Sequence, residues 1–339
     1  MRIAVDAMGG DNAPEAIISG AVESTEFLDK DDRVILVGPE DTIKSHLSSL
    51  KFRKEAIDIV EAPEVIGMDE PPIESLRKKP KSSIGILAKL GKLNQADAVI
   101  SAGNTGACVA AFQMRMRTLP GVIRPGIAVV FPTFTGPVTI CDVGANIACK
   151  PINLYQYAIM ASMYSRNLLG IENPRVGLMS IGEEDAKGNE VVKKARELIK
   201  SDPDINFIGN VEGRDIFRGV CDVVVCDGFV GNVILKLTEG AVDGLFRMIK
   251  QELQENLLLA IQFKSVMKRI YKKYDYNEYG GAPLLGVNGT ALICHGASES
   301  RTIKNAILIS KEYHTSKINE KIAEYLSNTL VKAPDEQSD

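Results

Sequence analysis

The amino-acid sequence predicts an α/β protein with a three-layer α/β/α arrangement and a mainly parallel sheet. Short β-branched runs recur along the 339 residues, and stretches with helical periodicity separate many of them. Continuous apolar strands that alternate with helices are typical of a parallel sheet covered on both faces. Most of the strand-like runs end in glycine or a polar turn, and ligands bind beyond the carboxyl ends of such strands. The polar strand endings are therefore the candidate functional positions.

The strand-like runs, in order, are IAVDAMGG, VILVGP, ADAVISAG, GIAVVFPT, VTICDVGA, RVGLMSIG, NFIGNVEG, DVVVCDG and LICHG. Helical stretches between them include APEAIISGAVESTEFL, PINLYQYAIMASMYSRNLLG and EVVKKARELIKS. The last third predicts one helix from Val230 to about Tyr274 and another, divisible into two pieces, from Ser298 to about Leu330. Because no linker of distinct composition divides the chain, we expect one unit over 1–330 with a helical insertion at about 230–280. The polar tail 331–339 is expected to be disordered.

Composition narrows the class of protein. A net charge of -4 and the absence of tryptophan give no indication of a nucleic-acid partner, for which a basic excess is expected. The six cysteines form no C-x-x-C motif and mostly lie in apolar runs, as buried free thiols do in a reducing compartment. With no signal-like start and no run of eighteen apolar residues, the sequence predicts a cytoplasmic protein.

Two stretches repeat one pattern: ADAVISAGNTGA at 96–107 and CDVVVCDGFVGN at 221–232. Each has an aspartate, an apolar run and Gly-x-x-Gly before a predicted helix, where free N–H groups and the helix dipole favour an anion. The pattern predicts phosphate or substrate binding at Gly103, Asn104, Thr105, Gly106 and Gly231. For either stretch alone, an ordinary strand-to-helix turn that needs glycine is the simpler interpretation, but the occurrence of two favours a phosphate- or acyl-binding cleft. Neither stretch is a P-loop or a G-x-G-x-x-G motif, so no nucleotide is implied.

Further candidates lie in similar turns. DAMGGDNAPE contributes Asp6, Gly9 and Gly10, and DVGANIACKP contributes Asn146. Lys187 lies in the polar loop IGEEDAKGNE, where a lysine can neutralise phosphate as a point charge. Asn232 follows Gly231, where an asparagine can orient a nucleophile or donate to an oxyanion. From spacing alone, a solvated loop lysine and a helix N-cap are the simpler interpretations.

The sequence contains no motif that is typical of a metal site or of a catalytic nucleophile. The three histidines are scattered, and neither H-E-x-x-H nor G-x-S-x-G occurs. Cys294 and His295 are adjacent in a strand-like run, so their side chains point to opposite faces and cannot act as a pair. The carboxylates at 183–185 could hold Mg²⁺, although such runs on loops are usually solvated. We therefore predict no metal, no cofactor and no covalent catalysis.

Residues 257–274, LLLAIQFKSVMKRIYKKY, read as a basic amphipathic helix. Leu259 and Phe263 belong to its apolar face, and Lys264 and Lys268 belong to a basic stripe. Such a helix can lie on an anionic membrane or dock an acidic protein. Packing against the core or a dimer partner explains the same pattern.

The motifs RIAVDAMGGDNAPE, ISAGNTGA, CDVGAN, KGNE, NFIGNVEGRD, DGFVGN and NEYGGAPLLG follow one another along the chain. Together they closely resemble the bacterial phosphate acyltransferases of the PlsX family. The resemblance runs from residue 1 to about 310. One departure is Glu183, which stands where relatives often carry threonine.

The resemblance implies the isocitrate/isopropylmalate dehydrogenase and phosphotransacetylase fold. It also implies transfer of a fatty acyl group from acyl-acyl carrier protein to inorganic phosphate, giving acyl phosphate for phospholipid synthesis without a cofactor. The family's essential lysine and asparagine fall on Lys187 and Asn232. On this interpretation Lys187 binds phosphate, the turn 103–106 cradles it, and Asn232 lies opposite. Further implications are a homodimer, peripheral membrane association and a downstream acyl-phosphate:glycerol-3-phosphate acyltransferase.

Three alternatives stay open. A phosphotransacetylase-like enzyme would use acyl-coenzyme A, and competition by coenzyme A would reveal it. An isocitrate-type dehydrogenase would need metal-binding aspartates and a nicotinamide. A membrane scaffold without activity would need only the 257–274 helix and would be indifferent to Lys187→Ala.

Overall fold

The computed structural model describes residues 1–254, 263–270 and 280–330. The chain forms two compact units, each assembled from separated segments. Unit 1 comprises Met1–Ala128, Met163–Glu172 and Tyr279–Asp339, and unit 2 comprises Val129–Ser162 and Asn173–Glu278, as far as these ranges are described. Because the chain passes between the units several times, no single change of composition marks their boundary.

The sequence predicts the strands well, and they form a mostly parallel sheet. The strands are β1 (Arg2–Asp6), β2 (Arg33–Gly38), β3 (Ile57–Glu61), β4 (Ala98–Ser101), β5 (Gly126–Pro132), β6 (Pro137–Cys141), β7 (Val176–Met179), β8 (Phe207–Val211), β9 (Val223–Val225), β10 (Ala282–Leu285) and β11 (Thr290–Ile293). All nine strand-like runs of the sequence overlap one of these strands, while β3 and β10 lie outside the predicted runs. The predicted α/β class, with a mainly parallel sheet, is confirmed.

The helices alternate with the strands through most of the chain. They are α1 (Glu15–Ser24), α2 (Glu40–Leu47), α3 (Pro72–Lys78), α4 (Ser83–Lys92), α5 (Thr105–Met116), α6 (Pro151–Leu168), α7 (Glu190–Ser201), α8 (Gly228–Gln254), α9 (263–270), α10 (Ser300–Thr315) and α11 (Ile318–Leu330). Short 3₁₀ helices lie at Lys54–Ala56 and Gly213–Arg218.

Unit 1 contains the strand order β3-β2-β1-β4-β11-β10, with the first residues of β5 next to β10. Its pairs are parallel except those of β10, which is antiparallel to both β11 and β5. The unit's core cluster joins β1 residues such as Ile3 and Val5 to Ile17 and Ile18 of α1 and to Ile303 of α10. Since β1, β4 and β11 are adjacent and parallel, the loops that follow them leave at the same edge.

Unit 2 contains the parallel order β6-β9-β7-β8. Val223–Val225 of β9 is buried on both sides, which explains its uninterrupted β-branched sequence. Asn146 lies in the loop after β6, Asn232 lies near the start of α8, which follows β9, and Lys187 lies in the loop after β7. Three of the predicted site residues therefore follow three adjacent parallel strands.

An arginine–aspartate pair joins neighbouring strands at their amino ends in each unit. The Asp97 carboxylate accepts hydrogen bonds from the backbone N–H and guanidinium of Arg2, at 2.7 and 2.9 Å. Asp222 accepts from the backbone N–H, Nε and a terminal nitrogen of Arg175, at 2.8, 3.0 and 2.9 Å. Asp97 and Asp222 are the aspartates that begin the two repeated sequence stretches. The internal similarity thus extends to an ion pair that the sequence comparison could not show.

The helical last third agrees with the prediction where it is described. α8 begins two residues before Val230, and α9 continues the helical character. The rest of the predicted helix, at 255–262 and 271–274, lies outside the described residues, as does the tail 331–339. The helix predicted from Ser298 is indeed divided, into α10 and α11. No helix in the described ranges combines the length and the apolar character that crossing a membrane requires.

Replacing Asp222 by alanine should lower the free energy of unfolding by about 1–3 kcal/mol at neutral pH, because charge-assisted hydrogen bonds are lost. Burial raises the pKa of Asp222, but the hydrogen bonds and charge of Arg175 outweigh it, so the pKa lies below its usual value. Because its pKa is lower in the folded than in the unfolded protein, ionised Asp222 stabilises the folded state at any pH above the unfolded pKa of about 3.9. This stabilisation is lost as the pH falls through the folded-state pKa. Urea unfolding of Asp222→Ala and wild type should therefore differ at pH 7 and converge in acid.

The matched control is Asp58→Ala, an exposed strand aspartate that has no ion pair within the described residues. It should change the unfolding midpoint little at any pH. Equal effects of the two substitutions would contradict a special role for the Arg175 pair.

Candidate functional site

In unit 1, the buried Asp6 carboxylate organises the loops after β1 and β4. Its Oδ2 accepts a hydrogen bond from Ser101 Oγ at 2.7 Å, and its Oδ1 accepts one from the Met8 N–H at 3.1 Å. Ser101 Oγ in turn accepts from the Gly103 N–H at 3.0 Å. Burial raises the pKa of Asp6, and the hydrogen bonds, including one from Ser83, offset only part of that rise. Asp6 is only 1% exposed, so it shapes the edge from within.

The two glycine loops of unit 1 touch each other directly. A Cβ on Gly9 would lie 2.6 Å from the Gly103 nitrogen and 2.7 Å from Asp6 Oδ2, so only glycine fits. Gly10 has a φ of +102°, and the following Asp11 N–H donates to the Gly296 carbonyl at 2.7 Å. The loops after β1, β4 and β11 thus converge, as the strand order predicts.

Asn104 caps α5. Its Oδ1 accepts from the Ala107 N–H at 3.0 Å, while its Nδ2 donates to the carbonyls of Met68 and Glu70 at 2.8 and 3.0 Å. Both ends of this amide are therefore engaged in hydrogen bonds within unit 1. Thr105 and Gly106, by contrast, are exposed on the first turn of α5.

In unit 2, a fully buried Asp142 organises the loop after β6. Its Oδ1 accepts from the N–H groups of Gly144 and Ala145 at 3.0 and 2.9 Å, and its Oδ2 accepts from that of Asn146 at 2.8 Å. Asp142 lies with Asn146 and Lys150 in the glycine turn that the sequence indicates at 142–151, but it is not among the predicted site residues. A sequence signal for this carboxylate exists: an aspartate follows the apolar strand and precedes a nearby glycine. VDAMGG has the spacing Asp-x-x-Gly, and CDVGAN has the spacing Asp-x-Gly.

Asn146 connects this loop to the second glycine turn. Its Nδ2 donates to Tyr157 Oη at 2.9 Å and to Asp142 Oδ2 at 3.2 Å, and its carbonyl accepts from the Gly228 N–H at 2.8 Å. Burial, followed by the negative charge of Asp142, raises the pKa of Tyr157, so its hydroxyl stays protonated. The predicted site residue Asn146 is 8% exposed and is held by this network.

Asn232 lies one helical turn inside α8. The N-cap is Asp227, whose Oδ1 accepts from the Val230 N–H at 2.8 Å, so the N-cap interpretation of Asn232 is wrong. Gly231 packs so closely on the Asp142 carbonyl that a Cβ would collide with it. Asn232 itself is exposed, and within residues 1–254, 263–270 and 280–330 its side chain has no hydrogen-bond partner.

Lys187 is exposed in the loop between β7 and α7. Its N–H donates to the Glu184 carbonyl at 2.9 Å, and Asn210 Nδ2 donates to the same carbonyl at 3.0 Å. A Cβ on Gly182 would lie 2.9 Å from Lys187 Cγ, so glycine makes room for the lysine stem. Among the described residues, no hydrogen bond or ion pair engages the Lys187 ammonium. The buried Asn210, which sequence reasoning missed, positions the turn that carries Lys187.

Other candidates are distributed as follows. Asp185 of the acidic run pairs with Arg196 of α7, while Glu183 and Glu184 are exposed. In the described part of the chain, no three histidine, cysteine, aspartate or glutamate side chains cluster as metal ligands would.

The structure describes three of the four residues that are predicted to face a membrane. Phe263, Lys264 and Lys268 are exposed on α9, and Leu259 lies outside the described residues.

The predicted residues therefore form one group in each unit. The carboxyl edge of the unit 1 sheet carries Asp6, Gly9, Gly10 and 103–106. The carboxyl edge of the unit 2 sheet carries Asn146, 231–232 and Lys187. In unit 2 the register aligns Cys141 with Val225 and Val225 with Leu178, so the three loops start at matching heights. An exposed ammonium and an exposed amide on neighbouring loops can bind an anion and donate to a developing oxyanion.

Solved structures with the same fold include three acyl-transfer enzymes. A phosphotransacetylase from Streptococcus pyogenes has a TM-score of 0.63 and 17% identity, covering 93% of this chain and 94% of its own. The EutD phosphotransacetylase from Staphylococcus aureus has a TM-score of 0.59 and 15% identity, covering 93% of this chain and 94% of its own. A branched-chain phosphotransacylase from Enterococcus faecalis has a TM-score of 0.56 and 12% identity, covering 93% of this chain and 99% of its own. The chain is thus an α/β protein of phosphotransacetylase-like fold.

Residues 1–321 match the family described as "Fatty acid synthesis protein". A "Phosphate acyltransferase" of Halothermothrix orenii is 50% identical over 316 residues, which is 92% of this chain and 94% of that protein. One from Geotalea daltonii is 45% identical over 330 residues, covering 96% and 94%. The chain belongs to this family, and the resemblance seen in the motifs is confirmed.

Removing the Asn210 amide should loosen the Lys187 loop. In Asn210→Ala, the Glu184 carbonyl loses one of its two donors, at a cost of about 1 kcal/mol. Amide hydrogen exchange in 184–188 should then accelerate by roughly five- to tenfold through local opening. The control is Asn206→Ala, whose exposed amide donates to Asn173 outside this loop. Unchanged exchange in 184–188, or equal acceleration in both variants, would contradict a positioning role for Asn210.

Proposed function

We propose that this protein transfers a fatty acyl group from acyl-acyl carrier protein to inorganic phosphate, forming acyl phosphate for phospholipid synthesis. The observation that carries the proposal is that Lys187 and Asn232 are both exposed, one in the loop after β7 and the other near the start of α8 after the neighbouring β9, in a chain of this family. These are the positions that the family motifs assign to an essential lysine and asparagine. Relatives at 45–50% identity bear the name phosphate acyltransferase.

The reaction needs no covalent enzyme intermediate. A phosphate oxygen attacks the thioester carbonyl, the tetrahedral intermediate collapses, and the carbon–sulfur bond breaks. The carrier-protein thiolate leaves and takes the proton from the hydrogen phosphate, which balances the step. Thioesters are already activated acyl donors, so the enzyme chiefly brings the reactants together and stabilises charge. Lys187 binds and neutralises phosphate, and Asn232 orients it or donates to the oxyanion.

We also propose supporting roles for both groups of predicted residues. Exposed Thr105 and Gly106 contact phosphate or substrate at the start of α5, where N–H groups and the helix dipole favour an anion. Buried Asp6 and Asn146 act indirectly by holding the glycine loops in shape, as their hydrogen bonds support. On this proposal, residues 1–330 work as a single phosphate acyltransferase unit.

Assembly and location are part of the same proposal. Along α8, exposed apolar side chains recur at Leu237, Leu245 and Met248, which are 70, 56 and 65% exposed. Side chains at this spacing share one helical face, and such a face is usually covered in the working assembly. We propose that a second copy covers it in a homodimer. We further propose that the 257–274 segment holds the protein on the cytoplasmic membrane, where a glycerol-3-phosphate acyltransferase consumes the acyl phosphate.

Lys187→Ala and Asn232→Ala should each reduce phosphate-dependent thioester cleavage by at least about 100-fold, since each removes one charge-stabilising contact. The assay combines long-chain acyl-acyl carrier protein, phosphate and hydroxylamine, which traps acyl phosphate, with no metal or nucleotide added. The control is Lys193→Ala, an α7 lysine that has no predicted role. Thioester loss without phosphate dependence would overturn the proposed reaction. Efficient turnover of acyl-coenzyme A instead would favour the phosphotransacetylase-like alternative.

Replacing Leu259 and Phe263 together by glutamate should release the protein from anionic liposomes, because apolar insertion is lost and negative charge is added. Co-sedimentation with phosphatidylglycerol vesicles measures the bound fraction. Phe27→Glu is the control, since Phe27 is 61% exposed in unit 1 and outside the proposed membrane segment. Undiminished binding of the double variant would show that the 257–274 segment does not anchor the protein.

A further inference from the structure

Three large apolar side chains stand exposed at the carboxyl edge of the unit 2 sheet. Ile147, Ile181 and Phe229 are 76, 83 and 63% exposed. Each lies in the loop or helix start that follows β6, β7 or β9, which are adjacent parallel strands. We call these three residues the apolar rim. Single exposed apolar residues are ordinary, but three on neighbouring loops at one sheet edge indicate a binding surface.

Local contacts tie the apolar rim to the polar groups of the site. The Asn146 carbonyl accepts from the Gly228 N–H at 2.8 Å, which brings together the loops that carry Ile147 and Phe229. Ile181 directly precedes Gly182, and a Cβ on Gly182 would lie 2.9 Å from Lys187 Cγ. Phe229 is the second residue of α8 and lies three residues before Asn232. The apolar and polar groups are therefore carried by the same three loops.

We propose that the apolar rim binds the acyl chain of the substrate next to its thioester, and so selects long-chain over acetyl donors. The inference rests on the proposed function. A ligand here must present an apolar part to the rim and an anion or carbonyl to Lys187 and Asn232. An acyl thioester with phosphate has both parts. A protein partner seated on the rim would instead cover the ammonium and amide that the reaction needs.

The rim also accounts for the composition of its loops. Ile147 and Ile181 lie in exposed parts of their loops, Ile181 among polar residues, and neither contributes to the buried core of unit 2. A fold requirement alone favours a polar residue at such exposed positions. Small-molecule sites combine apolar walls with a few placed polar groups, which describes this edge.

The test measures kcat/KM for palmitoyl- and acetyl-acyl carrier protein, at saturating phosphate, in Ile147→Asn, Ile181→Asn and the double variant. We expect the palmitoyl-to-acetyl ratio to fall roughly tenfold in the double variant, the affinity contributed by about two buried methylene groups. KM for the palmitoyl donor should account for most of the change. Ile123→Asn, which alters an isoleucine 51% exposed in unit 1, is the matched control and should keep the wild-type ratio.

Each outcome decides between explanations. An equal loss with both donors, or an unchanged ratio, would overturn the rim as the acyl contact. A lower molecular mass in analytical ultracentrifugation, with the ratio intact, would assign these residues to contact between copies and equally overturn it. If wild type cleaves neither donor in a phosphate-dependent way, the proposed function itself fails. Thermal unfolding of each variant confirms that the compared proteins are folded.

Discussion

The arrangement of unit 2 depends on one buried carboxylate. Asp142 is fully buried and gathers three successive backbone N–H groups, so the loop after β6 closes around it. An unpaired buried carboxylate would be costly, and this loop is the structure that satisfies it. Asn146 then reaches Tyr157 and the Gly228 N–H, and Gly231 packs on the Asp142 carbonyl. The exposed position of Asn232 follows from this packing, because α8 has a fixed starting point.

Unit 1 also has a buried aspartate at the end of a strand, but its hydrogen-bond partners differ. Asp6 ends β1 in the interior and holds the next glycine turn through Ser101 rather than directly. In both units, therefore, a buried carboxylate organises a glycine loop by accepting hydrogen bonds from the residues that follow the strand. Both ends of the Asn104 amide are engaged in hydrogen bonds, whereas the Asn232 amide has no hydrogen-bond partner among the described residues. Two asparagines in similar sequence stretches thus lie in different environments.

The sequence predicted the fold because strands and helices are encoded by local apolar periodicity, which VVV at 223–225 and α7 both show. It identified Lys187 and Asn232 only through family motifs, since spacing alone favoured a solvated lysine and a helix cap. Which residue captures the first free N–H of α8, Asp227 or Asn232, depends on where the helix starts, and spacing does not fix that. The Arg175–Asp222 pair and the Asn210 contact depend on which strands are neighbours. Those are long-range properties that no local pattern contains.

α8 carries Asn232 near its beginning and its exposed apolar face further along the same uninterrupted helix. With a rise of about 1.5 Å per residue, its 27 residues form a rod roughly 40 Å long. The packing of Gly231 on the Asp142 carbonyl fixes the start of this rod, so the same contact sets the direction in which the distant apolar face projects. The Asn232 amide and that face therefore keep a constant separation along one helix axis.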